Sequence, residues 1–321
     1  KTFTAAWSCA ALQLTAMKAT TMKFDFVVIG GSFAGLSAAL SLARARRQVL
    51  VVDAGQRRNQ CVDAAGHGSH GFLTQDGRPP AEIAAEGKRQ LMRYPSVQWL
   101  DGLAENARLA PDGRIEFEVA TRTISAGRLI LATGVRDELP AVPGLAERWG
   151  RSVFHCPYCH GYELNEGRIG IIAATPMAMH QGLMLPDWGS PTLFLNGVFT
   201  PTHDERAQLQ RRGTQVEATP IQRIDAEADV VLSDGRVLRM DGLFTQSRIH
   251  MQSPLAAQLG CEFSEGPLGP FIKVGATQAT SVPGVFACGD AARAASNVAI
   301  SVADGAIAGL GAHQAALAAS A

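Results

Sequence analysis

The sequence predicts an α/β fold of two domains, each a parallel sheet flanked by helices. Three observations carry this. Phe24 to Ile29 is an apolar run rich in β-branched residues, and a glycine-rich turn takes it directly into a helix and a second such run; strands buried on both faces read this way. A second strand–turn–helix succession begins at Arg168. The 321 residues are also enough to build two separate cores.

Composition narrows the function class. Hydrophobic residues make up 46% and charged residues 18%, an ordinary globular balance, and 29 basic residues offset 29 acidic ones. A net charge of zero supplies no field that would draw nucleic acid or an anionic membrane surface, so neither is expected as a partner. No apolar run reaches transmembrane length. Six cysteines in a chain this long do not make a disulfide scaffold; a reducing compartment, the cytoplasm, is the expected setting.

Residues 1–21 begin with Lys1 and hold a short interrupted apolar run, Ala5 to Leu14, with no clear small-residue cleavage site. They read as an N-terminal extension ahead of Met22. From Lys23 the pattern sharpens. The strand Phe24 to Ile29 is followed by Gly30-Gly31-Ser32-Phe33-Ala34-Gly35, a helix from Leu36 to Arg46, and a strand from Gln48 that ends in Asp53. This is the order of a dinucleotide-binding, Rossmann-type βαβ unit. Its tight turn aims backbone N–H groups and a helix N-terminus at a pyrophosphate, and the acid closing the second strand takes a ribose hydroxyl. One departure stands out: Ser32 replaces the middle glycine of the fingerprint.

An irregular stretch from Gln56 to Pro80 holds His67 and His70, read as surface-loop histidines. Leu129 to Leu131 is a strand running into the hinge-like Ala132-Thr133-Gly134, and Pro140 and Pro143 mark a domain boundary. In the second domain, the strand Arg168 to Ala173 leads into Ala173-Ala174-Thr175-Pro176-Met177-Ala178, where a second fingerprint would sit. That turn has no glycine, and its Cβ atoms and proline hinder close approach by a pyrophosphate. After the next strand, Pro191 to Leu195, no arginine cluster awaits a 2′-phosphate. Met177, Met179 and Met184 are expected in core packing. The last segment, Thr280 to Asp290, reads as a strand ending in Gly289-Asp290, where α/β folds place ligand contacts, with Cys288 buried and inert.

The chemistry centres on Phe154-His155-Cys156-Pro157-Tyr158-Cys159-His160-Gly161-Tyr162-Glu163. A Cys-x-x-Cys pair can close a disulfide ring or share a metal, and its thiolate is activated by nearby positive charge and a helix N-terminus. A structural zinc would want a second Cys or His pair, but Cys9, Cys61, Cys261 and Cys288 stand singly. No metal site is expected, and the pair reads as redox-active.

In this order, the turn at Gly30, the Ala132-Thr133-Gly134 hinge, the Cys156/Cys159 pair and Val285-Phe286-Ala287-Cys288-Gly289-Asp290 resemble the low-molecular-weight thioredoxin reductases. The resemblance implies an FAD-binding domain in two pieces, about 22–139 and 246–321, with a central domain, 140–245, between them. It further implies that Gly30, Ser32, Phe33, Ala34 and Gly35 hold the FAD pyrophosphate, and Asp53 the adenosine ribose. Gly134, Gly289 and Asp290 complete the site, Asp290 at the ribityl chain. Cys159 matches the flavin-facing thiol and Cys156 the exchanging one. A homodimer is implied as well.

Where those reductases carry an acid after the second cysteine, this chain has His160. With the missing nicotinamide fingerprint, this is similar to a sub-branch, the dithiol oxidases that close disulfides in gliotoxin, holomycin and romidepsin-type depsipeptides using FAD and oxygen. The resemblance implies a small-molecule dithiol substrate, O2 as acceptor and hydrogen peroxide as product. His160 is the expected base, ahead of His155 and His70, because imidazole titrates near neutral pH; the alternative is that it caps a helix or orients Cys159 electrostatically. The alternatives are a thioredoxin reductase fed by NADPH or by ferredoxin, and a flavoprotein scaffold without turnover.

Overall fold

The computed structural model describes residues 21–319; the expected extension 1–21, apart from its last residue, lies outside them, as does Cys9. The chain opens with β1 (Met22–Ile29), α1 (Phe33–Arg44) and β2 (Val49–Asp53). It continues through α2 (Gln60–Ala64), α3 (Pro80–Leu91), β3 (Val97–Asp101), β4 (Ala104–Leu109), β5 (Ile115–Val119) and β6 (Arg122–Leu131). β1, β2, β3 and β6 run parallel, while β4 and β5 add an antiparallel edge. Successive residues of β1 enter opposite layers. Val27 and Ile29 join Ile115 and Phe117, and Phe26 and Val28 pack with α1. Both faces are covered, which is why this strand shows no polar alternation.

β7 (Val135–Glu138) leaves this sheet for the second domain. There β8 (Val153–Phe154), α4 (Pro157–His160), β9 (Arg168–Ile172), α5 (Ala178–Met184), β10 (Ser190–Phe194), α6 (His203–Arg212) and β11 (Gln215–Glu217) follow in order. A meander of β12 (Ile221–Asp225), β13 (Asp229–Leu232) and β14 (Val237–Arg239) precedes β15 (Gly242–Thr245). The sheet order β11-β10-β9-β15-β8 is parallel throughout. β16 (Arg248–Met251) brings the chain back, pairing antiparallel with β7 so that Val135 faces Met251 and Asp137 faces Ile249. The two crossings therefore form one ribbon.

The returning segment forms α7 (Leu255–Gln258), the hairpin β17 (Phe263–Gly266) and β18 (Gly269–Ile272), β19 (Val285–Ala287) and α8 (Val298–Ala318). β19 pairs parallel with the end of β6, completing the first sheet. α8 lies tightly on α1 because its glycines have no side chain to intervene. A Cβ at Gly305 would stand 2.0 Å from the Ala34 carbonyl oxygen, and one at Gly309 2.5 Å from that of Ala38. This contact fixes the N-terminus of α8 beside the turn at Gly30. No helix among the described residues is long and apolar enough to cross a membrane.

Candidate active site

A cavity of about 710 Å³ runs along the C-terminal ends of the first sheet and reaches the Cys-x-x-Cys loop, within the ~300–1,000 Å³ common for cofactor sites. Gly30, Ser32, Phe33, Ala34, Asp53, Gly134, Gly289 and Asp290 line it. Gly35 is absent from the lining and serves packing instead: a Cβ there would lie 1.8 Å from the Gly30 carbonyl oxygen. Gly30 itself sits at φ +107°, and its Cβ would meet the Ala132 carbonyl at 2.2 Å. The turn tolerates Ser32 because that residue is extended, at φ −95°, and faces the cavity. The tighter position is Gly31, whose Cβ would strike the Trp99 ring at 2.4 Å and whose N–H donates to Asp53 Oδ1 at 3.0 Å. A helix N-terminus, a tight backbone turn and an acid at the second strand's end thus face one elongated cavity, the donor set an adenine dinucleotide requires.

At the other end stands a cluster that sequence reasoning missed. Arg58 forks onto Asp137, with contacts of 2.8 and 2.6 Å, and reaches Asp290 at 2.9 Å. Ser247 donates to Asp137 at 2.5 Å. Burial opposes ionisation of Asp137, but Arg58 outweighs it and holds the carboxyl below its ordinary value. The Arg57-Arg58 pair five residues after Asp53 was the one available signal, and its partners lie 79 and 232 residues away.

β8 ends at the reactive loop. Cys156 precedes α4, Pro157 occupies the first helical position, and Cys156 and Cys159 form a disulfide with Cα atoms 5.4 Å apart. Gly161 closes the turn where a Cβ would meet both the Pro157 carbonyl and the Trp188 ring at 2.6 Å. The two sulfur-bearing residues face different spaces. Cys159 and His160 line the large cavity, whereas Cys156 lines a second cavity of about 180 Å³. His155, Arg58 and Asp290 border both.

The histidines gather here. His160 stacks on Phe154, and neither of its ring nitrogens has a hydrogen-bond partner among the described residues. Burial, then the neighbouring His155, His67 and His70, pulls its pKa down to about 4. His155 is pulled to about 4 as well, by burial and then by Arg58. Both rings are neutral at neutral pH. His67 and His70 are more than loop histidines: His67 Nε2 lies 2.9 Å from the Arg151 carbonyl and its ring 6.5 Å from that of His160, while His70 lies 3.3 Å from Glu163.

Cys288 is fully buried, its thiol pushed far up by burial and then by Asp304. Cys61, which lines the large cavity, and Cys261 are free thiols, and no group of three or more His, Cys, Asp or Glu could hold a metal among the described residues. Met179 packs on the second domain's core, but Met177 is 38% exposed, contrary to the core packing expected of it. Its position at the start of α5 turns the side chain outward.

The turn at Ala173–Ala178 is chemically closed. The Thr175 hydroxyl accepts from Met177 N–H at 3.2 Å, and the N–H groups of Ala178, Met179 and His180 bond to the carbonyls of Thr175, Pro176 and Met177. At the end of β10, Asn196 Oδ1 accepts from Ile221 N–H at 2.9 Å. The N–H groups of Met177 to His180 are thus already used within the chain.

Comparison with known proteins agrees with this architecture. Residues 24–309 match the family model described as pyridine nucleotide-disulphide oxidoreductase. A protein of Claviceps purpurea named thioredoxin reductase tcpT is 34% identical over 301 residues, covering 89% of this chain and 92% of its own. The crystal structure of an oxidoreductase from Agrobacterium tumefaciens is 53% identical with a TM-score of 0.89, covering 92% of this chain and 99% of its own. That of HlmI is 33% identical with a TM-score of 0.84, covering 94% and 95%.

Proposed function

The chain belongs to the pyridine nucleotide-disulphide oxidoreductase family as a thioredoxin-reductase-like FAD flavoprotein, and we propose that within it the protein is a dithiol oxidase. It would close a disulfide in a small-molecule dithiol, independently of NADPH, in a reducing cytoplasmic setting. The observation that carries this reading is the partition at the disulfide, with Cys159 toward the cofactor cavity and Cys156 toward a separate smaller one.

A substrate thiolate attacks Cys156, forming a mixed disulfide and breaking the Cys156–Cys159 bond, and Cys159 leaves as a thiolate. The second substrate thiol loses its proton and attacks the substrate sulfur of the mixed disulfide. The cyclic disulfide departs, Cys156 is released as a thiolate, and the pair has gained two electrons. Held by the turn at Gly30 and by Asp290, FAD would supply a two-electron acceptor on the Cys159 side of the disulfide, with O2 as final acceptor and hydrogen peroxide as product. His155, which borders the cavity of Cys156, is better placed than His160 to take the substrate's protons; His160, on the side of Cys159, is placed to steady that thiolate. This revises the expectation that His160 is the substrate's base.

NADPH independence is supported by the glycine-free turn at Thr175, where the N–H groups of Met177 to His180 are spoken for. The division at 22–139, 140–245 and 246–321 is supported by the paired crossings β7 and β16. A homodimer is supported by an apolar stripe on the outer face of α8, where Ile300, Ile307, Leu310 and Leu317 are exposed at heptad spacing. The rival reading, a thioredoxin reductase, has the printed name of the Claviceps relative in its favour. Mixing the flavoprotein under nitrogen with NADPH and, separately, with a dithiol decides between them. The dithiol should bleach the flavin absorbance and NADPH should not, and admitting air should restore the colour with peroxide formed. Prompt bleaching by NADPH overturns the proposal.

A further inference from the structure

We propose that the 180 Å³ cavity at Cys156 is the substrate's binding chamber and selects a compact, uncharged dithiol, with Leu268 and Ile249 setting its size. This rests on the dithiol-oxidase reading and adds the substrate class.

The volume is the first argument. At about 180 Å³ it lies below the ~300–1,000 Å³ common for ligand pockets, and has room for the reacting end of a small molecule. The walls are the second. Ile249, Leu268, Ala294 and Ala295 are apolar, and the two guanidinium groups that line the chamber are already engaged. Arg58 is held by Asp137 and Asp290, and Arg293 forks onto the buried Asp304 at 2.5 and 2.7 Å. Among the described residues both guanidinium groups lining it are paired, and three carboxylates stand against these two. A charged carboxylate entering would shed water without gaining a partner. The chamber's walls also come from both domains: Cys156 from the central domain, Ile249 from β16, Leu268 from the turn between β17 and β18, and Ala294 and Ala295 from the segment before α8.

The test compares two probes of one skeleton, 3-mercapto-2-(mercaptomethyl)propanamide and the corresponding propanoate, in anaerobic stopped-flow reduction of the flavoprotein. Both close the same five-membered disulfide and differ in charge alone. The amide should react at least about tenfold faster, the scale on which a missing partner for a buried charge is felt. Leu268→Trp, and independently Ala294→Leu, should slow the amide about tenfold or more while flavin content and reduction by dithionite stay unchanged. Equal rates for the two probes, or full activity in both filled variants, would overturn the chamber while leaving the oxidase reading standing. Reduction by neither probe would remove the oxidase reading and this proposal with it.

Discussion

The imidazole of His160 lies flat on the ring of Phe154, with centroids 4.4 Å apart and planes within 9° of parallel. The stack holds His160 on the Cys159 side of the disulfide, while His155 borders the chamber of Cys156. On the proposed reading the two histidines, two places either side of Pro157 and Tyr158, would serve different sulfurs, and their removal should have different kinetic signatures.

His155→Ala should lower the dithiol-dependent rate constant of flavin reduction, and His160→Ala the limiting rate at saturating dithiol. Each loss is expected in the range of about 10²–10⁴ typical of acid–base groups. FAD content should not change in either. Rapid-reaction traces over a range of dithiol concentrations separate the two effects, and an unaltered limiting rate in His160→Ala would take that ring out of the chemistry.

The depressed histidines also make stability depend on pH. Unfolded, each ring takes a proton near its ordinary 6.5; folded, near about 4. Below 6.5 the unfolded chain binds more protons, so this contribution is complete above that pH and is lost progressively as pH falls to about 4. At about 1.4 kcal/mol per unit each ring contributes on the order of 3 kcal/mol over the full range. Urea midpoints at pH 7.5 and 5 should differ accordingly, and His155→Gln should shrink the difference. A pH-independent midpoint would contradict the burial of both rings.

Gly30→Ala should abolish FAD retention. The added methyl would meet the Ala132 carbonyl at 2.2 Å in a backbone region that only glycine adopts freely. Gly134→Ala is the contrasting variant: its φ is also positive, at +66°, but its Cβ would meet nothing within 4 Å. It should cost stability, on the order of 1 kcal/mol, with flavin retained. The absorbance ratio at 450 and 280 nm checks both.

If α8 forms the dimer seam, Leu310→Glu should shift the protein from dimer to monomer in analytical ultracentrifugation, because Leu310, 54% exposed, lies in the middle of the stripe. A monomeric parent protein would exclude the seam outright.

The first βαβ unit was legible in the sequence because everything that makes it is local: the β-branched run before Gly30, the small residues of the turn, the acid closing β2. Its helix begins at Phe33, three residues before the apolar periodicity suggests, since the glycines and small residues hide the first turn from a pattern of apolar spacing. The segment Thr280 to Asp290 was read as one strand but is extended in a sheet only over Val285–Ala287. Thr280 accepts from Val282 N–H, and Gly284 turns at φ +81°, so the residues ahead of it fold into a loop. The Cys-x-x-Cys pair announced itself through spacing; Arg58 did not. Its task is defined by carboxylates on β7 and after β19, and nothing in its own neighbourhood reveals them. His67 was likewise read as a surface-loop residue and His70 ranked behind His160 and His155, because only the folded chain carries their loop to Phe154 and Glu163.

With Cys159 lining one cavity and Cys156 the adjoining one, incoming reductant and outgoing electrons would, on the proposed reading, use different sulfurs of a stationary loop. On that reading neither lobe has to swivel between half-reactions, and clamping the β7–β16 ribbon with an engineered crosslink would leave turnover intact.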